Sequence, residues 1–598
     1  MRPRSAPEAA SADSLASWVD FRRYMDSVFV GVHLHGREAV RAVDPRASVG
    51  FVARPGDNVY YGYDWRQLAS RLDVLGFPPD PVVVEKVRAY RGPDSWAGAV
   101  FEGRYAPQSF AEARWFPWYE VMHGMPVVWG GAAYGGAEVE SPWAALTPGG
   151  RPFPVFAETA RSVRELRGGA GALLLRAQRS PAPIAIYDSQ ASVYVDEAAP
   201  LGNWRVRRAT RGFVALLKDL RYSFDFVCAD DVRRAGLDDY AVLVLPMVRA
   251  IGDSEAAAIS TFRERGGRIL ADIVPGEFDG HGKRRSAPML DPLFGVRHAG
   301  PVAIGEPGPA EVRLDREGKK SVTGTLTGIS PDVAVEATEA RGYGAAGGAP
   351  VWLAQGGDTL LLNHPLPDYA DGTAEDADAA LRKLMRAWLE ETGIEPVVAL
   401  GVKGGDAFRG ECVKYTFGEA TLLALLRDPG DGKDRARLVL RADRTRPTYD
   451  VRRGERVPRP HRLRITLERG AAALFASLPY EVTGLALVVP PEVHAGRRLE
   501  IGYVLRTDND SPGKHLLHVE LHQPDGDPIP YYAKNVVCEG GVGKSYIPLS
   551  LSEHPGSYVV HVRDVLSGVS TQERVKILPP AQDPERVSRQ PSVVSSQS

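Results

Sequence analysis

With 598 residues, 44% hydrophobic and 25% charged, the chain reads as globular protein of three or four domains. A formal net charge of −2 excludes a strong global field for nucleic acid or anionic membrane. Cys228, Cys412 and Cys538 lie too far apart in sequence to form a disulfide framework or a zinc-ligand set, and no metal or cofactor is expected. No apolar run approaches the roughly 20 residues of a membrane span. The start, MRPRSAPEAASADSLASW, lacks the apolar core of a signal peptide. A soluble protein is expected, cytoplasmic, or exported if its true N-terminus lies upstream of Met1.

Apolar residues at helical spacing predict one helix over 18–43. Strand-like runs follow at 47–53, 72–77, 96–102 and 125–135, with helices over 109–124 and 156–169. Strands alternating with helices predict a parallel sheet. A second βα region begins at PIAIYDSQASVYV (183–195), continues through a helix over 203–220, and has strands at 224–231, 240–246 and 268–274. It runs on through a helix over 253–267 and the stretch 351–366, and ends in a helix over 374–393. Near-continuous apolar strands such as YAVLVLP predict a sheet covered on both faces. Beyond about residue 400 the pattern becomes short strands split by turns, which predicts β-sandwich modules over 401–485 and 486–580, the second Ig-like. The polar tail 581–598 is expected to be disordered.

The run AVFEGRYAP (99–107) ends in Glu102 just before Gly103. In a parallel βα barrel, side chains at strand C-termini face the mouth of the active site. A carboxylate there is an acid, base or nucleophile, or a salt-bridge partner. Arg54, Asp57, Asn58, Tyr60, Tyr61, Trp65, Tyr105 and Trp129 gather at other predicted strand ends and nearby loops. Aromatic rings beside a carboxylate suit a sugar, whose apolar faces stack on rings. Trp115 and Trp118 are expected to fill the core instead.

VFEGRY followed by WFPWYEVMHGMPVVWGGAAYG resembles the seventh and eighth strand region of glycoside hydrolase family 42 β-galactosidases. WVDFRRYMD and VDPRASVGFVARPGDNVYYGYDW resemble the fourth helix and fifth strand of that barrel. PIAIYDSQASVYV, with the domain after it, resembles the family's trimerisation domain, whose fold is similar to class I glutamine amidotransferases. The resemblance spans roughly residues 18–400. It implies a multidomain α/β plus all-β protein: the C-terminal half of a (β/α)8 barrel (about strands 5–8) over 1–180, an amidotransferase-like domain over 181–400, and the two β modules. It implies retaining hydrolysis of a β-linked glycoside, a galactoside by family name alone, by a homo-oligomer, trimeric by resemblance. Glu102 matches the family's nucleophile, and Arg54, Asn58, Tyr61, Tyr105 and Trp129 are candidate sugar contacts.

A retaining glycosidase needs two carboxyl groups about 5 Å apart. The family's acid/base is a Glu after Asn at the end of the fourth strand. Only 17 residues precede the helix at 18–43, and no Asn-Glu dipeptide occurs in the chain. The acid/base half of the barrel is therefore expected to be missing. Three arrangements are compatible: Met1 internal to a longer protein, a remnant kept for carbohydrate binding or assembly without catalysis, or a second chain supplying the missing half. Glu112 and Glu120 are expected on the outer face of the helix after the strand.

Other motifs read as decoys. Cys228 lacks a Gly-x-Cys-x-Gly turn and is expected to be a buried or incidental thiol. GGVGKSY (540–546) lacks the first glycine of a phosphate loop, a place taken by Cys538, and no helix follows it. His33 and His35 are two apart on a helix and point to different faces. RRGERVPRPHRLR (452–464) is expected to be a solvated basic loop, with no aromatic interleaving for nucleic acid.

Overall fold

The computed structural model describes residues 15–53, 59–101, 107–130, 145–147, 149–202, 205–234, 236–316, 318–366, 369, 375–402, 408–432, 434–440, 445–509 and 511–581. The first unit opens with helix α1 (Ala16–Arg41), which buries Trp18, Val19 and Val30. Strands β1 (Gly50–Val52), β2 (Val74–Phe77), β3 (Trp96–Phe101) and β4 (Trp129–Gly130) form one parallel sheet in that order. Between them run α2 (Trp65–Arg71), α3 (Pro81–Tyr90) and α4 (Phe110–Met122). Their starts are written locally. Asp64, Asp80 and Ser109 each accept a backbone N–H of the first turn, and Pro81 supplies the preset φ of a first helical residue. Helix α5 (Pro154–Glu165) continues through a π turn into α6 (Gly171–Arg176), further than the 156–169 expected. Gly169 makes this possible: its φ of 123° is open to glycine, and a Cβ there would lie 2.4 Å from Val565.

The second unit is a seven-stranded sheet. Its parallel part runs β7 (Phe224–Cys228), β6 (Ile184–Asp188), β8 (Val242–Leu245), β9 (Arg268–Asp272) and Thr359–Leu362; Trp352–Ala354 and Arg341–Gly342 add an antiparallel edge. Ile184, Ile186, Val242 and Val244 pack into one core and Ala185, Tyr187, Leu243 and Leu245 into another, so both faces are covered, as the unbroken apolar runs predict. The strand expected over 224–231 is shorter than read: after Cys228 the chain turns into α9 (Ala229–Arg233). After Asp188 it turns into α7 (Gln190–Ala198). Helices α8 (Val206–Asp219) and α10 (Asp253–Glu264) complete the layers around the parallel strands. An antiparallel hairpin, Gly308–Arg316 with Lys319–Ile329, was not legible beforehand; it lies against helix Glu375–Glu391, where Lys383 donates to the Thr323 carbonyl.

Two β units follow. In the first, a six-stranded sheet that includes the short strand β5 (Gln178–Arg179) faces a three-stranded sheet across Phe408, Leu425, Leu438 and Phe475. In the second, three- and five-stranded sheets enclose Leu499, Ile501, Leu517, Val519 and Val560. Gly540 and Gly541, with φ of 67° and 76°, carry the chain from one sheet of that sandwich to the other, and no helix follows.

The units are bolted together by ion pairs at their edges. Lys86 pairs with Asp188 at 2.7 Å, Arg88 with Asp225 at 2.7 Å and Arg211 with Asp80 at 2.8 Å. Arg452 reaches both oxygens of Glu165 and lies 5.0 Å over Trp118, so the basic run 452–464 begins with an inter-unit anchor rather than the solvated loop expected. Among the described residues no helix is long and apolar enough to cross a membrane.

Candidate active site on the open face of the parallel sheet

Among the described residues the four-stranded sheet has helices packed on one face. Register places Phe51, Leu75 and Ala97 side by side, with Phe77 beside Ala99. This face is buried under the helices; Leu75, Phe77, Ala97 and Ala99 are fully inaccessible, and Phe101 meets Phe116 edge-on at 4.8 Å. The alternate residues Val52, Val74, Trp96, Val100 and Trp129 share the other face. There Val52 is 59% and Trp96 60% exposed. Gly76 lies between Val52 and Val100, whose methyl carbons would stand 2.9 and 3.1 Å from a Cβ at that position. The result is a shallow apolar face with no helix over it among the described residues.

Glu102 lies outside the described residues, as do Arg54, Asp57, Asn58 and Tyr105. The strand that leads to Glu102 is described to Phe101. Trp129 is half-buried on β4 opposite Val100. Tyr61 closes a 3-10 turn (Val59–Tyr61) after β1, with its ring 5.3 Å from that of Tyr63. Tyr60 turns away, under the Arg22 guanidinium at 4.9 Å and edge-on to Trp18 at 5.8 Å. Trp65 opens α2 and packs on Tyr63 and Phe77. Trp118 is buried and Trp115 stacks on Tyr119 at 4.1 Å, so both serve the core as expected. The described residues thus bring Trp129 to the open face and leave Tyr60 and Trp65 in packing roles.

The expectation for Glu120 is overturned. Its side chain is fully buried, pointing inward from α4, and its carboxyl accepts the N–H of Ala99 in β3. Strand β4 begins only opposite Val100, so this ladder donor has no strand partner there, and Glu120 substitutes for one. Burial raises its pKa well above the ordinary carboxylate range. Glu112 caps its own helix: it accepts the Gln108 N–H while Ser109 accepts the Glu112 N–H.

Behind α4 lies a buried charged node. The Lys218 ammonium stands 3.0 Å from Glu85 and 3.2 Å from Glu411, and His123 lies 2.8 Å from Glu85. Burial alone would raise both carboxyls; His123, Lys218 and Arg88 hold Glu85 well below its usual value, and Lys218 and His123 do the same for Glu411. Two carboxylates and an imidazole could ligate a metal, but the ammonium already occupies the position between the carboxylates. The node joins α3, α4, α8 and the strand Gly410–Phe417.

In the second unit Cys228 ends β7 and is half-buried rather than buried. Burial still pushes its thiol up to about 11, the opposite of an activated nucleophile. The strained turn lies elsewhere: after β8, Met247 takes a φ of 42° and is wholly inaccessible. A nucleophile would sit on such a turn; a thioether cannot serve. All three cysteines are free thiols.

A parallel βα sheet, a doubly wound α/β unit and two β sandwiches, in this order, define a multidomain α/β plus all-β protein. Among solved structures that order is matched by Gan42B, a GH42 β-galactosidase from G. stearothermophilus, at TM-score 0.57 and 14% identity, over 77% of this chain and 68% of that one. A catalytic mutant of Gan42B superposes at 0.58 and 14% identity, over 79% of this chain and 70% of that one. The chain has the fold of the family 42 β-galactosidases. No family model matches the sequence, and no curated relative matches it.

Proposed function

We propose that the chain is a glycoside hydrolase of the retaining β-galactosidase type, with Glu102 as nucleophile, completed by polypeptide that covers the open face of the β1–β4 sheet and supplies the acid/base carboxylate. The observation that carries this reading is the sheet face that no described residue covers with a helix, where Val52 and Trp96 are exposed beside the strand that leads to Glu102. Retention needs a second carboxyl about 5 Å from the nucleophile. Glu112 and Glu120, the acidic residues of α4, are committed to a helix cap and a backbone N–H. Arg54, Asn58, Tyr61, Tyr105 and Trp129 are the proposed sugar contacts, and the second unit serves assembly into a homo-oligomer.

The test uses the protein isolated from its own cells and a 2-deoxy-2-fluoro-β-galactoside with an activated leaving group. Such a group departs without protonation, so the nucleophilic half-reaction can be read apart from the acid. Mass spectrometry is expected to find the sugar on the peptide containing Glu102, and to lose it in Glu102→Gln. A folded protein that takes no label on that peptide rejects the nucleophile. The wet apolar face also favours a second reading, a carbohydrate-binding or assembly protein without catalysis. Galactoside binding with no label and no turnover would select it.

A further inference from the structure

The C-terminal sandwich carries an unassigned cluster of imidazoles. On the strand Lys514–His522, Leu517, Val519 and Leu521 fill the sandwich core, so the alternate residues His518, Glu520 and His522 share the outer face. The register with Gly556–Asp564 sets His561 directly opposite Glu520. Three rings thereby converge on one carboxylate. His518 Nε2 is 3.3 Å from one oxygen; His522 Nε2 and His561 Nδ1 are 3.4 and 3.6 Å from the other. The His518 side chain is 7% exposed, while Glu520, His522 and His561 stay open to solvent at 25–27%.

The bonds behind the rings fix which nitrogens carry protons. His522 Nδ1 lies 3.0 Å from the Gly526 carbonyl, which only accepts, so Nδ1 holds a proton and, in the neutral ring, Nε2 offers a lone pair toward Glu520. Asn535 donates its amide to the Arg167 carbonyl and so turns its oxygen to His518 Nδ1 at 2.9 Å. In the neutral ring His518 Nε2 is bare as well. With both rings neutral, two lone pairs face carboxylate oxygens, acceptor against acceptor, and the buried Nδ1 of His561 has no hydrogen-bond partner. A cation between them satisfies every one of these atoms.

We propose that His522, His561 and Glu520 bind one zinc-class divalent ion on the face of this sheet, with His518 at the fourth position. The ligand atoms of the first three lie within 4.8 Å of one another. Bonds of about 2 Å would draw them to roughly 3.4 Å apart, a small side-chain adjustment. Imidazole donors select zinc, cobalt or nickel over calcium and magnesium. The Gly526 carbonyl and Asn535 orient the rings from behind, as partners of ligating histidines do.

The experiment is metal titration of the full chain, purified without a histidine tag and stripped by a chelator. Zinc, followed by competition with a chromophoric chelator, is expected to bind with one tight equivalent per chain, and cobalt to give the intense visible bands of a four-coordinate site. His522→Ala and His561→Ala should each weaken zinc at least tenfold and abolish the cobalt bands, with the far-ultraviolet circular dichroism unchanged. Should either variant fail to fold, Glu520→Gln, which keeps the size of the side chain, is expected to give the same loss. Absence of a tight equivalent in the wild type, or full binding and unchanged bands in the folded variants, overturns the proposal.

Discussion

Buried acids carry opposite signs in this molecule. Asp272 ends β9 with no exposure, accepts the Met247 N–H on one oxygen and has no partner on the other. Burial raises its pKa from 3.8 to about 8. A folded value above the unfolded one means that the folded state binds more protons. The stability this group supports is complete below about pH 4 and is lost as pH rises through about 8. Asp272→Asn keeps the hydrogen-bonding shape without the titration. In urea unfolding the variant should therefore gain on the wild type steadily between pH 4 and 8; a difference independent of pH would refute the assignment. Glu120 follows the same sign, so Glu120→Gln should be tolerated where Glu120→Ala strips Ala99 of its acceptor and costs about 1–3 kcal/mol. Neither role was legible beforehand. The pattern WFPWYEVM places Glu120 on a helix, but with apolar residues on every side of that helix no polar face marks which way the carboxylate turns.

At the scale of elements, the node of Glu85, Glu411, His123 and Lys218 holds α3, α4, α8 and a β-strand around one ammonium. Removing that ammonium leaves Glu411 with His123 alone, at 3.5 Å, and Glu85 with His123 and Arg88, and breaking a buried pair from one side costs about 3–5 kcal/mol. Lys218→Ala should lose stability of that order in denaturant unfolding at pH 7. Here the folded values are depressed, so the stabilisation is present above about pH 4.5 and fades as pH falls toward about 2 for Glu411. The penalty of Lys218→Ala should shrink with acidification; a penalty that grew would disprove the pairing. Periodicity also explains why one histidine motif was overlooked. His33 and His35 stand out as a pair, yet a helix turns them apart. In HVELH (518–522) the same spacing on a strand puts three ligand-bearing side chains on one face.

For the molecule as a whole, the junction between the first unit and the C-terminal sandwich rests on the turn 166–170. Gly169 approaches Val565, and the Arg167 and Gly168 carbonyls accept from Asn535 and Arg563. Gly169→Ala forces a Cβ into Val565 at a φ of 123° and should destabilise by about 1–3 kcal/mol. Gly168→Ala, with only the Arg563 guanidinium 3.9 Å away, is the control and should change stability by less than about 0.5 kcal/mol. Equal effects in urea unfolding would show that the junction does not depend on this contact.

The type of most helices and strands of the two α/β units was determined by the sequence alone, the hairpin Gly308–Arg316 with Lys319–Ile329 excepted. Apolar periodicity, Asp and Ser caps, and glycine and proline punctuation act over a few residues and can be read in a line. Tertiary structure alone decided that Glu120 turns inward to a strand, that Met247 sits on a strained turn, that Arg452 anchors two units, and that Val52 and Trp96 stand exposed on one face of the parallel sheet. Each depends on which residues distant in sequence meet, and on how much water those contacts exclude. Neither quantity is encoded in local spacing.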